Sequence, residues 1–266
     1  MAIMLSVSLN EETGVPMPEE KVSFKNSRGQ TLGGVLHYPE TGCSRGAVIL
    51  CHGMESNKES DKLLFLGQAL ARRGLLTLRF DFACAGESGK FEEITYSGEV
   101  EDLQAAFSFI RDRHAGKIGL LGSSMGGTVS LLFAAQNAAI ATLVTLAAPV
   151  HPEHFTSRLL TAAQLRRWRE AGYTFYHGQR LNVSLLDDLE KIDVAGAAQR
   201  VACPVLILHG DRDEVVPVEE AHELHGHIPT TKKLSILKGA DHRLSDSNLR
   251  DAALTEAVEW LDQCVR

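Results

Sequence analysis

Gly122-Ser123-Ser124-Met125-Gly126 is the stretch of this chain best suited to covalent chemistry. A serine hydroxyl becomes a nucleophile when a turn exposes it and a neighbouring base takes its proton. Lys117-Ile118-Gly119-Leu120-Leu121 precedes the pentapeptide as a short apolar run fit for a buried parallel strand, and Thr128 to Ala135 follows it as an apolar helix. Strand, G-x-S-x-G, helix is the nucleophile-elbow pattern, whose turn is so sharp that the flanking positions must lack side chains. Gly122 and Gly126 lie two residues either side of Ser124, whereas Ser123 would have Leu121 and Met125 crowding the same turn, so Ser124 is the candidate nucleophile. Small residues also gather in ordinary tight turns, so the pentapeptide alone leaves a structural reading open.

A nucleophilic serine needs a base, and the base needs an acid to orient it. Among 11 histidines, His242 stands in Lys238-Gly239-Ala240-Asp241-His242, a loop leaving the strand Leu234 to Leu237. Active-site groups of open α/β sheets collect at such carboxyl ends. His222, His225 and His227 fall in or near a helix after Pro217 and read as solvated surface; His52 and His209 precede glycines at strand ends and read as turn-stabilising. For the acid, Val205-Leu206-Ile207-Leu208 runs into a loop holding Asp211, Asp213 and Glu214, all three of them candidates.

These loops need a frame, and the chain alternates strand-like and helix-like segments almost throughout. Lys21 to Phe24 and Leu32 to Tyr38 flank a turn at Asn26-Ser27-Arg28-Gly29; Ala47 to Leu50 is a buried strand followed by a helix from Lys58 to Arg73, which Gly74 ends. Leu75 to Phe80 is a strand, and Val100 to Arg113 carries Leu103, Ala106, Phe107 and Ile110 at amphipathic-helix spacing. Strands follow at Ala141 to Ala147, Val205 to Leu208 and Leu234 to Leu237, then a last helix from Leu249 to Val265. Two antiparallel strands followed by repeated βα units imply an α/β fold with a mostly parallel central sheet of about eight strands flanked by helices. A chain of 266 residues fits a single domain, 1–266.

From His151 to Leu186 the rhythm breaks. This segment holds Phe155, Trp168, Tyr173, Phe175 and Tyr176, five of the 16 aromatic side chains, and shows no clean strand. It follows a strand end, where ligand-binding insertions of α/β sheets sit. A small helical cap over residues 151–186 is expected, its five aromatics offered to substrate; the competing reading is a surface helical hairpin pinned by the same rings. Arg158, Arg166, Arg167, Arg169 and Arg180 outnumber Glu153 and Glu170 there, but Asp187, Asp188 and Glu190 just beyond cancel the excess.

A net charge of −7 argues against nucleic acid as a partner. Five cysteines are scattered without C-x-x-C spacing, which disfavours a zinc site and a disulfide framework; Cys51 and Cys203 read as core residues. Met1 to Leu9 lacks a basic start and Asn10-Glu11-Glu12 interrupts it early, unlike a signal peptide, and no apolar run is long enough to span a membrane. The expected location is cytoplasmic.

Ser124, then Asp213, then His242 follow the chain order of the α/β-hydrolase fold, which this sequence resembles. His209-Gly210-x-x-Asp213-x-x-Val216-Pro217 resembles that family's acid loop and selects Asp213; Gly239-Ala240-Asp241-His242 resembles its histidine loop, and His52-Gly53-Met54 its oxyanion loop. Phe80-Asp81-Phe82 and Gly86-Glu87-Ser88 resemble its D-x-x-G-x-G-x-S segment, with Ala83-Cys84-Ala85 replacing the usual Arg-Gly-His. The resemblance implies a Ser124–His242–Asp213 triad, with backbone N–H groups of Met54 and Met125 as the oxyanion hole. It further implies no metal and no cofactor. The implied activity is that of a serine carboxylesterase on a small-molecule acyl or aryl ester, similar to cinnamoyl- and feruloyl-type esterases. An aminopeptidase-like serine peptidase and an acyl thioesterase are the rivals, and a non-catalytic ligand-binding homologue is the alternative of another class. Oligomeric state is open, with a homodimer as one option.

Overall fold

A computed structural model of the protein describes residues 5–9, 16–40, 42–86 and 89–266. The first four residues of the Met1–Leu9 segment, the Asn10-Glu11-Glu12 interruption and the Glu87-Ser88 pair of the Gly86-Glu87-Ser88 match lie outside them.

The chain runs β1 (Leu5–Leu9), β2 (Pro16–Lys25), β3 (Thr31–His37), β4 (Gly46–Cys51), α1 (Asp61–Arg72), β5 (Leu75–Phe80), α2 (Tyr96–Arg111), β6 (Ile118–Ser123), α3 (Met125–Ala134) and β7 (Ile140–Leu146). It continues through α4 (His154–Leu159), α5 (Ala162–Ala171), β8 (Tyr173–Tyr176), β9 (Gln179–Asn182), α6 (Ser184–Leu189), α7 (Val194–Ala198), β10 (Val205–Gly210), α8 (Val218–His227), β11 (Lys232–Leu237) and α9 (Ser247–Val265). Nine strands form the main sheet in the order β1-β2-β3-β5-β4-β6-β7-β10-β11. The first three pair antiparallel and β3 meets β5 antiparallel, while β5, β4, β6, β7, β10 and β11 are parallel. The expected mostly parallel sheet is present, with β1 as an added antiparallel edge.

The central strands are apolar throughout because both faces are covered. In β4, Ala47, Ile49 and Cys51 face the core under α2 and α3, and Val48 and Leu50 face the core under α1 and α9. Val48, Ile49 and Leu50, fully removed from water, each contribute about 1.5–3 kcal/mol before conformational entropy is counted. Pairing in register (Cys51 with Gly122, Ser123 with Leu146, Leu146 with Leu208, Gly210 with Leu237) aligns the carboxyl ends of five parallel strands along one edge. Every loop singled out as chemical leaves from that edge.

Helix limits shift for local reasons. α2 starts at Tyr96 because the Thr95 side chain accepts the Gly98 N–H. α1 stops at Arg72, and the turn beyond it needs a left-handed residue, which Gly74 supplies at φ 83°. No helix among the described residues is long and apolar enough to cross a membrane.

The 151–186 segment is not purely helical. It holds α4, α5 and the start of α6, but also the antiparallel hairpin β8–β9, joined by His177 and Gly178 at φ 46° and 80°. Two successive left-handed residues make the turn whose twist matches a hairpin. Tyr173-Thr174-Phe175-Tyr176 before that glycine is the strand signal that the break in helical pattern obscured. Thr161 and Gln164 close a reciprocal capping box on α5.

Candidate active site

Ser124 sits between β6 and α3 at φ 52° and ψ −125°, a backbone state that costs a side-chain-bearing residue about 1–3 kcal/mol. The surroundings hold it there. Its N–H donates to the Leu146 carbonyl at 2.7 Å, and its own carbonyl accepts from Gly127 at 2.8 Å to start the helix. A Cβ on Gly122 would lie 2.1 Å from the Gly126 carbonyl oxygen, and one on Gly126 would lie 2.3 Å from the His52 carbonyl oxygen. The glycines at both ends of the pentapeptide are therefore required by backbone-to-backbone contact.

The loops after β10 and β11 converge on this turn. The Ser124 hydroxyl donates to His242 Nε2 at 3.1 Å, and His242 Nδ1–H donates to Asp213 Oδ2 at 2.7 Å. The Asp213 side chain is fully buried; its Oδ1 accepts the Val215 and Val216 N–H groups at 2.9 and 2.7 Å. Burial pushes this carboxyl up, but hydrogen bonds from His209 and His242 outweigh it and hold the group far below the usual carboxylate range. The three acids left open by the loop alone now have separate partners. Asp211 accepts the Gly239 N–H at 2.5 Å and Glu214 the His242 N–H at 3.4 Å, so both shape the histidine loop while Asp213 alone meets the imidazole.

A cavity of about 810 Å³ opens over Ser124 and His242, with Gly53, Met54 and Met125 on its wall. Among the described residues the amide hydrogens of Met54 and Met125 have no protein partner. The His52 ring is buried and bonded to backbone on both sides: Nδ1–H donates to the Gly53 carbonyl at 2.8 Å and Nε2 accepts from Phe82 at 3.2 Å. Burial lowers its pKa and keeps it neutral for that double role. Asp81 steadies the same loop by accepting the Lys58 backbone and ammonium hydrogens at 2.7 and 2.6 Å.

The cap aromatics divide. Phe155 and Tyr176 border the cavity, their rings in edge contact at a centroid distance of 5.0 Å. Trp168, Tyr173 and Phe175 do not, which corrects the expectation that all five face substrate. Trp168 is 1% exposed in the core, and Tyr173 and Phe175 point to solvent at 38% and 65%. The period of two along β8 explains this, since Tyr176 must face opposite to Tyr173 and Phe175. His177 Nδ1 donates to Glu55 at 2.8 Å, tying the hairpin tip to the residue after Met54.

Sequence reasoning missed two residues here. His209 Nε2 lies 2.8 Å from the Val216 carbonyl oxygen and 3.3 Å from Asp213 Oδ2, and Lys62 enters the cavity beside Ser123. His209 was legible only as a turn histidine; Lys62 carried no signal. His151, Glu153 and His154 place metal-type ligand atoms within 4.8 Å of one another at the base of the cap. His151 already bonds Glu153 and Glu223 at 3.2 and 2.9 Å, a paired arrangement that accounts for the cluster without an ion. Cys51 and Cys203 are buried, as expected of core thiols.

Fold and strand-edge geometry are those of the α/β hydrolases. The chain belongs to the serine aminopeptidase S33 family, whose sequence model matches residues 42–194 and 180–246. Among curated proteins it is 27% identical over 240 residues to 2,6-dihydropseudooxynicotine hydrolase of Paenarthrobacter nicotinovorans, covering 85% of this chain and 59% of that protein. The chain thus spans about six tenths of that relative's length. It is also 27% identical over 209 residues to the mitochondrial palmitoyl-protein thioesterase ABHD10 of Bos taurus, covering 75% of this chain and 67% of that one. Among solved structures, ferulic-acid-bound Est1E from Butyrivibrio proteoclasticus has the same fold with TM-score 0.82 at 22% identity, covering 92% and 99% of the two chains. The esterase domain of a Rhodothermus marinus protein superposes with TM-score 0.74 at 25% identity, covering 94% and 100%.

Proposed function

We propose that this protein is a hydrolase that cleaves small acyl or aryl carboxylic esters through an acyl-enzyme on Ser124. The observation that carries this reading is the unbroken chain from Ser124 Oγ through His242 to Asp213, at 3.1 and 2.7 Å, opening into the cavity. His242 Nε2 takes the hydroxyl proton as Ser124 Oγ bonds to the ester carbonyl carbon. Asp213 keeps Nδ1 protonated, so that Nε2 is the free base, and stabilises the imidazolium that forms. The carbonyl oxygen gains negative charge between the Met54 and Met125 amides, where the start of α3 adds a favourable dipole. The intermediate collapses as His242 hands its proton to the departing alkoxide, releasing the alcohol. Water, deprotonated by His242, then attacks the acyl carbon and frees Ser124 and the acid.

Phe155 and Tyr176 offer apolar wall with one polar edge, suited to an acyl or aryl group. The likeness to an esterase domain at 25% identity supports an ester substrate, and the likeness to ABHD10 supports a thioester as the second reading. A panel of p-nitrophenyl esters of graded length, hydroxycinnamate esters, an acyl-CoA and an aminoacyl amide separates these. Ester turnover that vanishes in Ser124→Ala, together with loss of labelling by a serine-directed phosphonate, is the expected result. Undiminished turnover in that variant overturns the nucleophile, and amide cleavage with negligible ester turnover overturns the esterase reading.

A further inference from the structure

Three lysine and arginine side chains border the cavity shared by Ser124 and His242: Lys62, Arg243 and Arg250, the last paired with Asp251 at 3.1 Å. Lys62 stands in the first turn of α1, and Arg243 follows His242. The half-buried Lys62 ammonium makes only a long contact, 3.5 Å, to the neutral Ser123 hydroxyl. Among the described residues neither Lys62 nor Arg243 forms an ion pair, unlike Arg250. Most of the carboxylates on the cavity wall are engaged elsewhere: Glu55 with His177 at 2.8 Å, Glu220 with the Val150 and His151 amides at 2.8 and 3.1 Å, and Glu214 with the His242 amide. Asp61 is exposed at the rim.

A lysine in this position is held against its own solvation. Burial, joined by the neighbouring Arg243 charge, lowers the Lys62 pKa, and Asp241 and Asp213 offset this only in part. Beside it, the Ser60 hydroxyl at the start of α1 borders the same cavity, buried and without a hydrogen-bond partner. The first amides of the 12-residue helix add positive potential on the same side. Ammonium and guanidinium groups without ion-pair partners, compensated only in part, and a hydroxyl without a hydrogen-bond partner, all beside the candidate nucleophile, describe a place for an anion brought by the substrate.

We infer that Lys62, assisted by Arg243 and the Ser60 hydroxyl, binds a carboxylate carried by the ester substrate, so that the preferred substrates are carboxylate-bearing esters such as half-esters of dicarboxylic acids. This rests on the ester-hydrolase reading of Ser124. The subsite lies on the oxyanion-loop side of the cavity and owes nothing to the arginines at 166, 167, 169 and 180 of the cap, none of which reaches the cavity wall.

The test compares kcat/KM for mono-p-nitrophenyl glutarate with that for p-nitrophenyl butyrate. In Lys62→Met the glutarate-to-butyrate ratio is expected to fall about tenfold or more, the scale of a lost charge-assisted hydrogen bond, while Lys62→Arg keeps it within about threefold. Lys62→Gln, which retains a polar contact to Ser123, repeats the test should methionine disturb α1. A ratio unchanged in both neutral variants, with both esters still cleaved, overturns the subsite. Calorimetric titration of Ser124→Ala with monomethyl glutarate decides the subsite without turnover. Binding at least about tenfold weaker once Lys62→Met is added supports it, and equal binding overturns it. Failure of the wild type to cleave either ester strikes the ester-hydrolase reading instead, and the titration still decides the subsite.

Discussion

His209 and Asp213 meet behind His242: His209 Nε2 lies 3.3 Å from the same Oδ2 that accepts from His242. The other nitrogen of His209 is buried without a partner, so the proton sits on Nε2, shared between Asp213 and the Val216 carbonyl. The acid is thus braced from the side opposite the imidazole it orients.

His209→Leu removes that brace and should lower kcat about tenfold with KM nearly unchanged, as expected for one hydrogen bond worth about 1–1.5 kcal/mol. His209→Gln, which keeps a donor, should recover much of the loss. Steady-state kinetics on both variants checks this; a rise in KM at constant kcat would make His209 a substrate-binding residue instead.

Asp213→Asn should cost about 10³–10⁴ in kcat, because the amide favours the wrong imidazole tautomer. Asp211→Asn, which weakens only the bond to the Gly239 amide, should cost less than about tenfold. The reverse ranking would move the orienting acid to Asp211.

The depressed Asp213 pKa has a stability consequence with a definite sign. Its folded value lies below the unfolded value of about 3.9, so its contribution is fully present above that pH and is lost as pH falls toward the folded value. Urea unfolding at pH 6 and pH 3 should therefore show a larger acid-induced loss for the wild type than for Asp213→Asn. Equal losses would mean that the carboxylate is no better stabilised in the folded protein than in the unfolded chain.

Glycines at the elbow and elsewhere should respond oppositely to a methyl group. Gly126→Ala forces a Cβ against the His52 carbonyl and should abolish activity or folding. In Gly226→Ala, within α8, the new Cβ meets nothing within 4 Å, and the substitution should stabilise by about 0.4–1 kcal/mol. Thermal unfolding of both proteins measures the contrast.

Trp168 and Phe175 separate core from surface in the cap. Trp168→Ala should destabilise by about 3–5 kcal/mol, as a fully buried ring, whereas Phe175→Ser should change stability by less than about 0.5 kcal/mol. Comparable losses for both would place Phe175 against an unrecognised partner surface.

The alternating frame, the elbow, and the order in which serine, acid and histidine arrive are written in the residues alone. These are local signals: a glycine pair two residues from Ser124, apolar runs of strand length, loops that begin where such runs end. Even the contact that demands Gly122, with the Gly126 carbonyl, closes within five residues. The cap was legible as an interruption but not as a hairpin, because β8 is four residues long and its aromatics suit either reading. Packing set which aromatics face the cavity, that His209 shares the Asp213 carboxylate, and that Lys62 comes to rest beside Ser123, 61 residues away. The reason is physical. Local pattern specifies which face of an element is apolar, but which polar groups end as neighbours depends on how parallel strands register and how helices pack across them. His242 meets Ser124 across 118 residues because β6, β7, β10 and β11 align their carboxyl ends, and that alignment belongs to the sheet rather than to any segment of it.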